Sequence, residues 1–193
     1  MVEEALRARP TTGPIEADGV GQSAVLILLY EENDRAHVVL TRRAAGLRHH
    51  AHEVSFPGGR QDPDDTDLWD TALREAEEET ALDPNSVRRL GMLDPFVTVG
   101  SQTLVHPFVG SVAAQPVLVP SPSEVEAIRH TPLDELLRPE VWREELWPLV
   151  GVERAITFFE LVGDTVWGAT GAMLRQLLSV ITATTELPPG TGG

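Results

Sequence analysis

"GGRQDPDDTDLWDTALREAEEETAL" (Gly58–Leu82) decides how this chain is read. A glycine pair opens it and the breaker-rich "QDPDDTD" follows. Leu68–Ala81 then predicts a helix, with Trp69, Leu73, Ala76 and Thr80 recurring at helical spacing on one face. "DPN" (Asp83–Asn85) stops it. Inside the helix, "REAEEET" (Arg74–Thr80) sets four glutamates into five consecutive positions behind an arginine. Two like charges ~5 Å apart repel by ~3 kcal/mol at an effective dielectric of about 20, so such crowding needs something positive on it. At about 100° per residue, Glu75, Glu78 and Glu79 share an arc of ~100° away from the apolar face, whereas Glu77 points elsewhere into solvent. Carboxylates at i, i+3 and i+4 project from adjacent turns and suit a hard cation such as Mg²⁺. Arg74, one turn before Glu78, is placed to hold a carboxylate without displacing a metal. A solvated acidic surface is the plain alternative. The Gly-Gly turn ahead of the helix, and the lack of basic residues further along that face, argue against it.

Outward from this stretch the chain alternates strands and helices. "SAVLILLY" (Ser23–Tyr30) and "AHVVLTRR" (Ala36–Arg43) flank the polar "EENDR" and predict a hairpin. "EVSFPGG" (Glu53–Gly59) reads as a strand running into a Gly-rich turn. Further strands are expected in Val87–Leu93, Thr103–Val112 and Ala155–Leu161, with Tyr30, Phe158 and Phe159 as sheet residues. Pro132–Leu137 predicts a short helix and Val166–Ile181 a long amphipathic one. His106 and Trp167 lie in apolar stretches and read as packing residues. Residues 1–20 read as a loosely held arm after a short helix, 21–184 as one domain, and 185–193 as a disordered tail. The mixture of strands with two main helices predicts an α/β sandwich.

The 193 residues, 41% of them hydrophobic, suffice for one core. Cysteine is absent, which excludes disulfides and thiolate metal sites. Neither a membrane-length apolar run nor a signal-like apolar start is present, so a cytoplasmic location is the expectation. A net charge of −15 argues against nucleic acid or an anionic membrane as partner. All fifteen basic residues are arginine, and Arg42, Arg43, Arg48 and Arg60 gather with His49, His50 and His52 just before the acidic helix. An anionic ligand held between arginines and metal fits that pairing.

The opening stretch resembles the Nudix box of the Nudix hydrolases. Arg74, Glu75, Glu78 and Glu79 match its R-E-U-x-E-E core, where U is bulky and apolar, with Ala76 and Leu82 at apolar positions. Three departures stand out: a loop one residue longer, Asp65 in place of the upstream glutamate, and Ala81 in place of the late glycine. The resemblance implies an α/β/α sandwich with a mixed sheet between helices. It further implies that Glu75, Glu78 and Glu79 bind Mg²⁺ or Mn²⁺, with the Gly59 carbonyl as an extra ligand, for hydrolysis of a diphosphate. Arg74 and Glu78 would be catalytic. A glutamate on a later loop often activates water in these enzymes, and Glu124 is the candidate, with Glu126 behind it.

Upstream, "LTRRAAGLRHHAHEVSFPGG" (Leu40–Gly59) resembles the signature of the coenzyme A pyrophosphatase branch, with His52 where that signature has glycine. The late "VWGATGAMLRQLL" resembles its V-W-G-x-T segment, so the likeness runs from about Ser23 to about Ile181. It implies cleavage of coenzyme A to 3′,5′-ADP and 4′-phosphopantetheine. Arg43, Arg48, His50 and Gly58 would contact the substrate, Arg60 lies further out, and a homodimer stays open. Other readings keep the fold: a Nudix hydrolase of ADP-ribose, a dinucleotide or a nucleoside triphosphate, or a nucleotide-binding module without catalysis. An acidic partner-binding surface is the third.

Overall fold

The computed structural model describes residues 2–8, 19–46, 51–98, 101–149 and 151–183. Helix α1 (Val2–Ala8) precedes strands β1 (Gly21–Glu32), β2 (Arg35–Arg43), β3 (Val54–Ser55) and β4 (Gly58–Arg60). Helix α2 (Leu68–Thr80) is followed by β5 (Arg88–Met92), β6 (Phe96–Val97), β7 (Thr103–Ser111) and β8 (Val125–Pro132). The chain ends in α3 (Leu133–Leu136), β9 (Trp142–Leu149), β10 (Val152–Leu161), β11 (Asp164–Val166) and α4 (Gly168–Thr182).

β1 to β8 form one mixed sheet. β1 runs parallel to β7 and antiparallel to β2 and β4, while β2 also pairs with β3 and β8. Asn33 and Asp34, both with positive φ, close the expected β1–β2 hairpin. β9, β10 and β11 make a second, antiparallel sheet.

Strand β1 explains the layering. Leu26, Leu28 and Tyr30 join Ala72 and Ala76 of α2 on one face, while Ile27 and Leu29 join Leu174, Leu177 and Leu178 of α4 on the other. A strand covered on both faces is apolar throughout, which is why "AVLILLY" shows no polar alternation. The α/β/α sandwich with a mixed sheet is thus observed.

Two expectations need correction. The start of the chain is not a loose arm over residues 2–8: α1 packs on β5 and α4, Leu6 is 8% exposed within the core, and Arg88 bonds Glu3 at 2.6 Å. Residues 9–18 and the tail 185–193 lie outside the described residues. Gly58 and Gly59 belong to a strand paired with β1, not to a turn. Strand β9 carries no sequence expectation, because its edge ribbon is half exposed and charges interrupt its aromatic residues.

Candidate active site

The site begins where β4 passes under α2. Gly59 pairs with Ala24 and Gly58 with Val25. A Cβ on Gly58 would sit 2.4 Å from the Ala24 carbonyl oxygen, and one on Gly59 would sit 2.5 Å from the Glu75 carboxylate. Only a glycine strand lets the helix come this close. The helix itself starts at Asp67, whose side chain accepts from the Asp70 N–H at 2.8 Å. It ends at Ala81, left-handed with φ 54°, whose N–H reaches the Glu77 carbonyl at 2.8 Å. That left-handed cap is what the glycine of the Nudix box supplies, and Ala81 adopts it at a cost of about 1 kcal/mol.

Glu79 departs from its expected exposed arc: it is 3% exposed. The loop leading to β8 covers it, with the Ser121 N–H bonded to the Glu79 carbonyl and the Val119 N–H to that of Thr80, both at 2.9 Å. Its carboxylate oxygen Oε2 is buried with no hydrogen-bond partner. Burial pushes its pKa up to about 8; the Arg43 charge opposes the rise, and the charges of Glu75 and Glu124 add to it. An acid so placed is an unsatisfied charge until a cation or a proton arrives.

Arg74 organises the remaining acids. It grips Asp65 with two bonds, Nε to Oδ1 at 2.8 Å and Nη2 to Oδ2 at 3.1 Å, and also donates to the Arg60 carbonyl at 3.1 Å. Asp65, its side chain 4% exposed, further accepts from Thr71 Oγ1 and the Asp62 N–H, each at 2.8 Å. These bonds, the Arg74 ones foremost, hold its carboxyl far below the usual carboxylate range, and Arg74 is permanently charged. The aspartate therefore supports the arginine fully, on a turn in which the Asp65 N–H bonds the Asp62 carbonyl at 3.0 Å. Arg74 also touches Glu75 at 3.0 Å and Glu78 at 3.2 Å. Burial raises the pKa of Glu75; Arg74 counters this, and Glu78 and Glu124 reinforce it.

The three box glutamates thus do not stand as a finished ligand cage, and among the described residues no group of three acid or histidine side chains does. Glu75 and Glu78 lean on Arg74, and Glu79 is buried with one oxygen unpartnered. Glu78 is 57% exposed on its side chain, and an ion pair so open to water is worth at most ~1 kcal/mol, so it yields readily to a cation. An orphaned buried oxygen, a glycine cradle and an all-oxygen donor set fit Mg²⁺ or Mn²⁺.

The remaining sequence candidates divide clearly. Arg43 lies at a bulge in β2, and its charge acts on Glu79 while its own Nε is buried without a hydrogen-bond partner. Glu124 is exposed on a turn tied to β2 through the Ala44 N–H at 2.8 Å, and its charge reaches both Glu75 and Glu79. Glu126 turns away, to His52 Nδ1 at 3.0 Å and Arg42 at 3.6 Å. Arg48 and His50 lie outside the described residues. Arg60 is exposed, and only its carbonyl is engaged by Arg74. His106, half-buried, bonds Gln22 at 2.8 Å and fills its packing role. Trp167 packs on Phe158 and Trp147 and keeps 40% of its surface exposed. His52 sits at φ 63°, so the glycine of the branch signature answers a backbone demand that histidine here meets under strain. The glycine pair was readable in sequence; its close approach to the Glu75 carboxylate on the facing helix was not.

A mixed sheet between helices, with a glycine strand laid against an acidic helix, defines the class: a Nudix fold. The chain belongs to the NUDIX domain family, whose profile matches residues 21–150. It is 38% identical over 175 residues to "Nudix hydrolase 15, mitochondrial" of Arabidopsis thaliana, covering 87% of this chain and 60% of that protein. It is 40% identical over 147 residues to the uncharacterized Nudix hydrolase NudL of Pectobacterium atrosepticum, covering 72% of each. The chain thus spans only about 60% of the plant relative's length. Among solved structures, the Nudix hydrolase RenU of M. smegmatis matches with a TM-score of 0.58 at 20% identity, over 87% of this chain and 89% of that one. This last likeness bears on the fold alone.

Proposed function

We propose that the protein is a metal-dependent diphosphatase whose substrate is coenzyme A, cut to 3′,5′-ADP and 4′-phosphopantetheine. One observation carries the hydrolase reading: Glu79 is buried beneath the 119–124 loop with an unpartnered carboxylate oxygen, and the charges of Arg43, Glu75 and Glu124 act on it. No structural economy explains a buried orphan charge there, whereas a divalent ion does. Glu75, Glu78 and Glu79 would hold the metal, with the Gly59 carbonyl alongside. When bound, divalent ions neutralise the acids, screen the diphosphate and make water a competent nucleophile near neutral pH.

The chain's own residues then have distinct tasks. Arg74, fixed by Asp65, keeps Glu75 and Glu78 on the same side of the helix. Arg43 adds positive charge on the diphosphate side of Glu79. Glu124 accepts the proton as water attacks phosphorus and the P–O bond to the leaving phosphate breaks. The choice of coenzyme A rests on the likeness of Leu40–Gly59 to the branch signature, and the action of the Arg43 charge on Glu79 supports it.

The test is a panel of coenzyme A, ADP-ribose, a dinucleotide and a nucleoside triphosphate, with Mg²⁺ or Mn²⁺ and with chelator. Coenzyme A should give the highest kcat/KM and the two stated products, and chelator should stop all turnover. Faster cleavage of ADP-ribose would retain the hydrolase and replace the substrate.

A further inference from the structure

A second cleft, of about 500 Å³, opens between the residues just before β3 and the β10–β11 turn. His52 and Glu53 line one side; Glu160, Asp164, Thr165 and Trp167 line the other. Its position is tied to the acidic site twice over. β11 packs on β3, from which the chain runs directly into Gly58. His52 bonds Glu126, on the same strand start as Glu124.

Every wall is fixed. Trp167 stacks against Phe158 with ring planes 7° apart and centroids 6.1 Å apart, and Trp147 braces both. Glu160 accepts from Thr165 Oγ1 at 2.7 Å and pairs with Arg143. Asp164, its side chain 5% exposed, is held by Arg42 and Arg129. A rigid aromatic surface that stays 40% exposed beside a cleft is preorganised for a flat partner. The charge of the lining decides what kind. Carboxylates line the cleft while each neighbouring arginine is already engaged by an acid, so a phosphate finds no free cation among these groups. A neutral ring bearing N–H donors suits carboxylate acceptors and an indole face.

We infer that this cleft is the subsite for the uncharged heterocyclic base of the substrate, with Trp167 as its stacking platform and His52 as the opposite wall. The inference rests on the diphosphatase reading and deepens it by placing the group beyond the diphosphate. It also gives His52 a use: a glycine there would relieve the backbone but remove that wall.

Adenosine, a neutral nucleoside, is the probe. Titrated into the full chain and followed by ligand-detected NMR, it should saturate, and Trp167→Leu and His52→Gly should each weaken binding roughly tenfold or more. Ribose 5-phosphate should not compete. Kinetically, the preference for ADP-ribose over a ring-free alkyl diphosphate should fall about tenfold in both variants, carried by KM. His52→Gly releases a left-handed residue and serves as the variant whose folding is secure; thermal melts verify Trp167→Leu. Unchanged adenosine binding in both variants, or an unchanged preference, overturns the inference while leaving hydrolysis standing. Adenosine binding that depends on Trp167 in a chain that cleaves no diphosphate would sink the hydrolase reading and keep the cleft.

Discussion

Helices α2 and α4 cover opposite faces of one sheet and bury opposite chemistry. α4 buries Met173, Leu174, Leu177, Leu178 and Val180. α2 buries Thr71, Ala72, Ala76, Glu79 and Thr80, so its contact layer is small and polar and includes an acid. Both helices end in a left-handed alanine, Ala81 and Ala183, so their terminations do not separate them. What separates them is that α4 lowers the free energy of folding by removing hydrocarbon from water, whereas α2 carries a charge that folding alone leaves unsatisfied. The β4 glycines let α2 approach, and that approach sets Gly59 against the Glu75 carboxylate.

The contrast breaks most sharply at Glu79. Glu79→Gln should lower kcat about 10³-fold while raising the melting temperature of the metal-free protein. The sign follows from linkage. Glu79 in the folded chain binds its proton up to about 8, against an ordinary 4.5 when free, so the folded state holds more protons across that window. Metal-free stability should therefore fall as pH rises from about 4.5 to about 8, and Mg²⁺ should restore it. Melts that are flat with pH, or destabilised by Glu79→Gln, would contradict the buried-charge account.

Leu177→Ala is the counterpart on α4. Loss of a fully buried leucine should cost ~2–5 kcal/mol in denaturant unfolding, with turnover of the folded fraction within a few-fold of the parent. Gly59→Ala comes next. Its Cβ would displace the flexible end of Glu75, so kcat should fall ~10–100-fold with a stability change under about 1.5 kcal/mol. The smallest effect is at the cap: Ala81→Gly should stabilise by about 0.5–1 kcal/mol without altering activity, as read from unfolding midpoints.

Much of this was legible in the chain. The β1–β2 hairpin and helix α2 depend on local periodicity, and each stands where spacing puts it. The burial of Glu79 was not legible, because the lid over it is a loop some forty residues later whose N–H groups bond the helix end. The role of Asp65 was half legible: the acid was visible, its two-pronged grip on Arg74 was a matter of turn geometry. His52 and Ala81 teach the same lesson from the backbone side. Both stand where the resembled patterns carry glycine, and both have the positive φ that glycine adopts freely.

The central claim is that α2 gathers its acids for a divalent ion, and direct binding tests it best. Mn²⁺ titrated into the metal-free protein at pH 7 and followed by electron paramagnetic resonance should lose its free-ion signal on the parent chain. Glu79→Gln should weaken that binding by at least roughly tenfold. A parent chain that leaves the Mn²⁺ signal free, or a variant that binds it equally well, contradicts the account.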